Sequence, residues 1–251
     1  MILLIDAGNT RVKWALAAPG APVGDWIASG AATHADMPQL ELAWCETSAT
    51  PINRIVIANV AGNALRVQLE YVLQRCLPDV TPQWFASLPS LAGITNRYRN
   101  PAQLGCDRFA AAIAGHTLVP DQPVVVVNCG TATTIDAVTA DGVFLGGMIL
   151  PGLGLMASSL ARNTAQLPQI AQDGKLPDGF ADNTDDAILS GILAAQSGAI
   201  EHACAAHMAS ACIISGGAAP YIAPMLKVPY RIVENIVLLG LHAADHAVPA
   251  E

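Results

Sequence analysis

Two segments of the chain join a short apolar run to a turn of carboxylate or amide, glycine and hydroxyl residues. The first is Asp6-Ala7-Gly8-Asn9-Thr10, after Ile2–Ile5. The second is Asn128-Cys129-Gly130-Thr131-Ala132-Thr133, after Val124–Val127. A strand that ends in a polar residue and turns through glycine presents backbone N–H groups and short polar side chains at close range. Those suit a polyphosphate, which needs many donors, close approach and a carboxylate that can hold Mg²⁺ directly or through water. Gly-Asn is also ordinary hairpin chemistry, so one copy alone reads equally well as a plain turn. Two hydroxyl-rich glycine turns suit clamping a phosphate chain from both sides. The chain has only three lysines, Lys13, Lys175 and Lys227. Such a site would therefore rely on backbone dipoles and a metal ion.

A third segment runs Tyr98-Arg99-Asn100-Pro101-Ala102-Gln103-Leu104-Gly105-Cys106-Asp107-Arg108. Asp107 reads either as the N-cap of the helix that follows or as a general base taking a hydroxyl proton. Arg108 reads as a surface charge or as a fork for a small carboxylate. Two further turns, Gly146-Gly147-Met148-Ile149-Leu150-Pro151-Gly152 and Ser215-Gly216-Gly217-Ala218, end strands and start helices. They permit close backbone approach to a ligand or a partner subunit. His242 and His246 are four apart on one helix but lack a third ligand, so zinc is not indicated. The six cysteines are scattered without CxxC spacing, and they lack the His/Asp framing of a nucleophile. Reduced thiols are the expectation, with Cys106 and Cys129 as small fillers in their loops.

The elements that must position these groups follow from hydrophobic periodicity and turn punctuation. Strands are expected at Ile2–Ile5, Val12–Leu16, Arg54–Asn59, near Val80–Phe85, and at Val124–Val127, Thr134–Val138, Val143–Leu150 and Ala211–Ile214. Helices are expected over Met37–Cys45, Ala64–Cys76, Asp107 to Pro120, Leu153–Arg162, Asp185–Met208 and Glu234–His246. Residues 87–105 and 168–182 read as loops. Pro120-Asp121-Gln122-Pro123 is the natural boundary between halves 1–119 and 120–251, since two prolines so close cannot sit inside one element. The polar turn after an apolar strand recurs 122 residues apart, from Asp6 to Asn128. That spacing indicates a duplication. Two similar α/β halves would face each other across a ligand cleft.

Composition narrows the function classes. Of 251 residues, 53% are hydrophobic and 13% charged, which excludes a disordered chain. The net charge of −8 argues against a nucleic-acid footprint, which needs a clustered basic face. No apolar run reaches the ~20 residues of a membrane span. The opening Met1–Ile5 meets Asp6 without a basic lead-in and does not read as a signal peptide. A cytoplasmic location is expected.

Taken together, Asp6-Ala7-Gly8-Asn9-Thr10, the Tyr98–Arg108 block, Asn128-x-Gly130-Thr131-Ala132-x-Thr134, Gly146-Gly147…Pro151-Gly152 and Ser215-Gly216-Gly217 resemble, in order and spacing, a type III pantothenate kinase. The resemblance covers nearly the whole chain. It implies duplicated ribonuclease-H-like domains of the acetate-kinase/Hsp70/actin-like superfamily, with the nucleotide in the interdomain cleft. It further implies a cytoplasmic homodimer that phosphorylates pantothenate with ATP and Mg²⁺, the first step of coenzyme A synthesis. On this resemblance Asp6-Ala7-Gly8-Asn9-Thr10-Arg11-Val12-Lys13 would form the first phosphate loop, with Asp6 toward Mg²⁺, and Thr131 would touch ATP from the second. Tyr98, Gly105, Cys106, Asp107 and Arg108 would line the pantothenate pocket, with Asp107 as base. Thr184 would contact the substrate. Residues 162–168 would lie near the partner subunit. The family's monovalent cation, K⁺ or NH₄⁺, is tied to an Asp where this chain has Asn128, which keeps an oxygen ligand but loses the charge. Two rival readings are an accessory regulator acting through a protein partner and another phosphotransferase of the superfamily, such as a sugar kinase.

Overall fold

In the computed structural model, residues 1–46, 51–163 and 179–247 are described, and they divide into two α/β units. The first comprises residues 1–118 with the closing segment that begins at Asn235; the second is Val119–Glu234. The first unit holds strands β1 (Ile2–Ala7), β2 (Arg11–Ala17), β3 (Ala28–Thr33), β4 (Arg54–Asn59) and β5 (Gln83–Trp84) in the order β3-β2-β1-β4-β5. The first three strands form an antiparallel meander, and β4 and β5 add in parallel beside β1. All six residues of β1 are buried, as a central strand covered on both faces requires. On one face, Leu40 and Trp44 of α1 (Met37–Glu46) and Leu65, Leu69 and Leu73 of α2 (Asn63–Cys76) pack with Leu3, Ile5, Ile55 and Ile57. A short hairpin, β6 (Ser90–Leu91) and β7 (Ile94–Asn96), and a helix, α3 (Cys106–Leu118), complete the run to residue 118.

The second unit repeats the plan. Its strands β8 (Val124–Cys129), β9 (Ala132–Val138), β10 (Val143–Pro151), β11 (Ala211–Ser215) and β12 (Arg231–Ile232) take the order β12-β11-β8-β9-β10. Again three antiparallel strands come first, and parallel strands add beside the first of them. Helices α4 (Leu153–Asn163), α5 (Thr184–His207) and α6 (Ala219–Ile222) accompany this sheet. Leu153, Ile192, Leu193, Ile200 and Ile222 from these helices close its core. The repeat seen in the two polar turns thus extends to strand order and direction. This is the duplicated ribonuclease-H-like fold the resemblance implies.

The closing helix, α7 (Ile236–His246), corrects the division read from the sequence, which put it in the second half. It belongs to the first unit, where it packs on α3, β1 and β4. The cause is backbone proximity. A Cβ added at Gly240 would lie 1.8 Å from the Ala110 carbonyl oxygen, so only glycine lets α7 settle against the alanine-rich face of α3. His242 is a core residue here: its Nδ1 accepts from the Gly24 N–H at 3.3 Å, and burial pushes its pKa down to about 4. Among the described residues no group of three His, Cys, Asp or Glu side chains could hold a metal.

A second correction concerns the thiols. Cys45 of α1 and Cys76 of α2 are joined by a disulfide, because the two helices lie side by side and bring positions 31 residues apart together. Cys106, Cys129, Cys204 and Cys212 are free. Among the described residues no helix is long and apolar enough to cross a membrane. Of the segment expected near a partner subunit, residues 164–168 lie outside the described residues.

Candidate active site

Strands β1 and β4 run in parallel with Ala7 opposite Asn59, so both end at the same edge of the first sheet. Loops beyond the carboxyl ends of parallel strands can gather polar groups without breaking the ladder. Asp6 sits one residue from the end of β1, opposite Lys13 of β2. It is 9% exposed. Burial pushes its carboxyl up to about 6; Lys13 pulls against that rise, and the Asp107 charge adds to it. The turn that follows is closed by Gly8 N–H donating to Arg11 O at 3.1 Å, and Val60 N–H donates to Ala7 O at 3.1 Å. Asn9, Thr10 and Arg11 are exposed at its tip. Ala7 and Val12 are fully buried, so these two support the turn from beneath and leave contact with a ligand to its exposed tip.

The loop from β7 to α3 is pinned by side chains that bond its own backbone. Buried Asn96 accepts from Tyr98 N–H at 3.1 Å and donates to Pro101 O at 3.2 Å. Asn100 accepts from Ala102 N–H at 3.2 Å, and the Ser87 hydroxyl donates to Leu104 O at 2.8 Å. The loop so held delivers Gly105 to the start of α3, where Phe109 N–H closes on Gly105 O at 3.0 Å. Asp107 is therefore inside the first helical turn and is not the cap. Its Oδ1 accepts from Arg108 N–H at 2.8 Å. A Cβ at residue 105 would lie 2.6 Å from that oxygen, so glycine clears the space into which the carboxylate turns.

Burial raises the Asp107 carboxyl, against the opposing pull of the Arg108 N–H and guanidinium. Cys106 Sγ donates to Asn59 O at 3.6 Å, tying the start of α3 to the end of β4. Burial and the two nearby carboxylates push this thiol up to about 11, so it is a protonated donor and no nucleophile. Arg108, 6% exposed, donates from Nη1 to the Tyr98 hydroxyl at 2.8 Å and lies over its ring at 5.6 Å. The sequence reads Arg108 as a fork for a ligand carboxylate; part of that fork is occupied by Tyr98. The first unit thus gathers Asp6, Lys13, Tyr98, Cys106, Asp107 and Arg108 at one sheet edge. Two carboxylates withdrawn from water, with the Asp107 charge raising Asp6, suit a cation, and a carboxylate of raised pKa suits proton transfer.

The second unit assembles its own glycine turn from three of the segments singled out in the sequence. Gly130 N–H donates to Ala132 O at 3.0 Å, Gly152 N–H to Thr131 O at 2.9 Å, and Ala218 N–H to Cys129 O at 3.0 Å. A Cβ at Gly152 would lie 2.2 Å from Gly130 O, and one at Gly216 would lie 2.4 Å from Cys129 O. The glycines in Pro151-Gly152 and Ser215-Gly216 are there for this convergence. Gly130 and Thr131 are exposed at the turn, and Asn128 is half-buried in register with Thr134 and Ser215. Thr184 opens α5 behind Asn183, whose side chain caps the helix by accepting from Asp186 N–H at 3.0 Å. Asn59 and Asn96 escape a sequence reading. The only local signal for Asn96 is its place two residues before Tyr98.

A family model described as type III pantothenate kinase matches residues 2–206. The chain is 53% identical over 259 residues to a type III pantothenate kinase of Herminiimonas arsenicoxydans, covering 99% of each. It is 54% identical over 253 residues to that of Janthinobacterium sp. (strain Marseille), covering 96% of each. A solved structure named for the Baf family of transcriptional activators, from Campylobacter jejuni, superposes with a TM-score of 0.63 over 97% of both chains at 20% identity, a likeness of fold. With a family model spanning most of its length and relatives at more than half identity, this chain belongs to the type III pantothenate kinase family.

Proposed function

We propose that this chain transfers the γ-phosphoryl group of ATP to the primary hydroxyl of pantothenate, the first step of coenzyme A synthesis. The observation that carries the reading is the pair Asp6 and Asp107, two withdrawn carboxylates close enough that Asp107 raises the pKa of Asp6. Asp107 takes the proton as the hydroxyl O–H bond breaks and the new O–P bond forms; the bond to the bridging oxygen breaks, and ADP leaves. Little covalent chemistry falls to the protein in such a transfer, so positioning and charge neutralisation dominate. The turn between Asp6 and Lys13 offers backbone donors to the phosphates, and the Thr131 turn offers a second set. Asp6 would hold Mg²⁺, directly or through water, and when bound the ion neutralises phosphate charge. Tyr98, Gly105, Cys106, Arg108 and Thr184 would line the pantothenate side. Asn128 would offer a monovalent cation an oxygen without a charge.

We place the enzyme in the cytoplasm as a homodimer. Leu145, Met148 and Ile149 on β10, with Leu155 and Leu160 on α4, are exposed apolar side chains that support a self-association surface. The test is ADP release from ATP and Mg²⁺ by the purified chain. Release that depends on pantothenate is expected; none from folded protein would overturn the reading in favour of an accessory role.

A further inference from the structure

His34 follows the last residue of β3, and Thr33 is in register with Arg11, so the ring is carried to the β1–β2 turn. There its Nε2 lies 2.9 Å from the carbonyl oxygen of Gly8. A carbonyl only accepts, so the ring carries its proton on Nε2. The backbone turn that carries the ring is tied as well: the Thr33 hydroxyl donates to Asp36 Oδ2 at 2.6 Å across the short helical turn His34–Asp36. Glycine is the loosest backbone in the chain, and its own N–H at position 8 is already committed to Arg11 O at 3.1 Å.

The peptide that joins Gly8 to Asn9 is trans, like every other among the described residues. In a trans peptide the C=O and the following N–H point to opposite sides. Holding the Gly8 carbonyl toward His34 therefore aims the Asn9 N–H away from it. Asn9 is exposed, and among the described residues its N–H has no acceptor. We infer that His34 is a positioning residue, which fixes the Gly8–Asn9 peptide plane and so sets the direction of a backbone donor to a phosphate oxygen of ATP. The inference rests on the ATP reading of this turn. Its advantage is preorganisation: the donor is aimed before the anion arrives.

The test is calorimetric titration of the full chain with ATP and Mg²⁺, beside thermal melts and steady-state kinetics. His34→Leu should weaken ATP binding about tenfold, the upper end for one neutral hydrogen bond, with the KM for pantothenate moving less than about twofold. His34→Gln, whose amide can donate to the same carbonyl, should restore ATP affinity to within about twofold of wild type. Unchanged ATP affinity in a folded His34→Leu variant would overturn the inference, as would Gln and Leu variants that are equally impaired. Should the Leu variant fail to fold, the Gln variant decides by the same criterion. Wild-type protein that binds ATP without phosphorylating pantothenate would sink the proposed reaction and leave His34 judged on binding; wild-type protein that binds no ATP would sink both.

Discussion

Asp6 and Lys13 are register partners across β1 and β2, yet the Asp6 carboxyl is held well above its ordinary range, at about 6. The neighbouring ammonium does not offset burial and the second carboxylate on Asp107. A site with this imbalance is short of positive charge, and a metal ion with a nucleotide would supply and use it.

The sign of the pH effect follows. A carboxyl at about 6 in the fold against 3.8 unfolded favours the fold while protonated. Its contribution is complete below about pH 4 and is lost as pH rises through about 6. The melting temperature of wild type relative to Asp6→Asn should therefore fall between about pH 4 and pH 7 in the absence of Mg²⁺. Over the same range, wild-type turnover should rise as Asp6 ionises. Melts and rates across pH check both; a difference in melting temperature that ignores pH would contradict the burial argument.

Gly240 should tolerate no side chain. With a Cβ 1.8 Å from Ala110 O, Gly240→Ala must push α7 off α3. The expected cost is about 3 kcal/mol, the severe end for overpacking a core. Because α3 carries Asp107, activity should fall along with the melting temperature. Denaturant melts of the variant check this, and a loss below about 1 kcal/mol would mean the helices can part cheaply.

Asn128 should weaken any need for potassium. The resemblance drawn from the sequence implies a carboxylate at this position, and the amide oxygen of Asn128 would bind a monovalent cation without that charge. Turnover in K⁺ and in Na⁺ should be similar for the wild type, and Asn128→Asp should create a preference for K⁺. Severalfold K⁺ stimulation of the unaltered chain would contradict this.

Much of the fold is legible in residue pattern. Arg54–Asn59 is an apolar run between polar ends, and β4 has those bounds. Strand β3 is not legible, since Ala28–Thr33 lacks β-branched alternation; it is held by antiparallel pairing with β2, and glycine at residue 30 leaves room for the Trp14 indole, whose Nε1 a Cβ there would approach to 2.9 Å. The β6–β7 hairpin hides for another reason. Its turn residues Ala92 and Gly93 both have positive φ, 49° and 80°, and alanine is a poor advertisement for that conformation.

The site divides in the same way. Asp6 and Asp107 are legible because a carboxylate at a strand end and another at a helix start are chemical statements in themselves. The residues that hold them are not, because they act across distance in the chain. Cys106 reaches Asn59 over 47 residues, and His34 reaches Gly8 over 26. The disulfide between Cys45 and Cys76 is silent in sequence for the same reason.

The central claim rests on Asp107 as the base, and the most direct test is Asp107→Asn in the pantothenate-dependent ADP-release assay. Asn keeps the shape and removes the base, and Asp107 does not cap α3, so the fold should be retained. Turnover should drop by about 10²–10⁴, the range for losing a general base, with a melting temperature close to wild type. Turnover within a few fold of wild type would contradict the account.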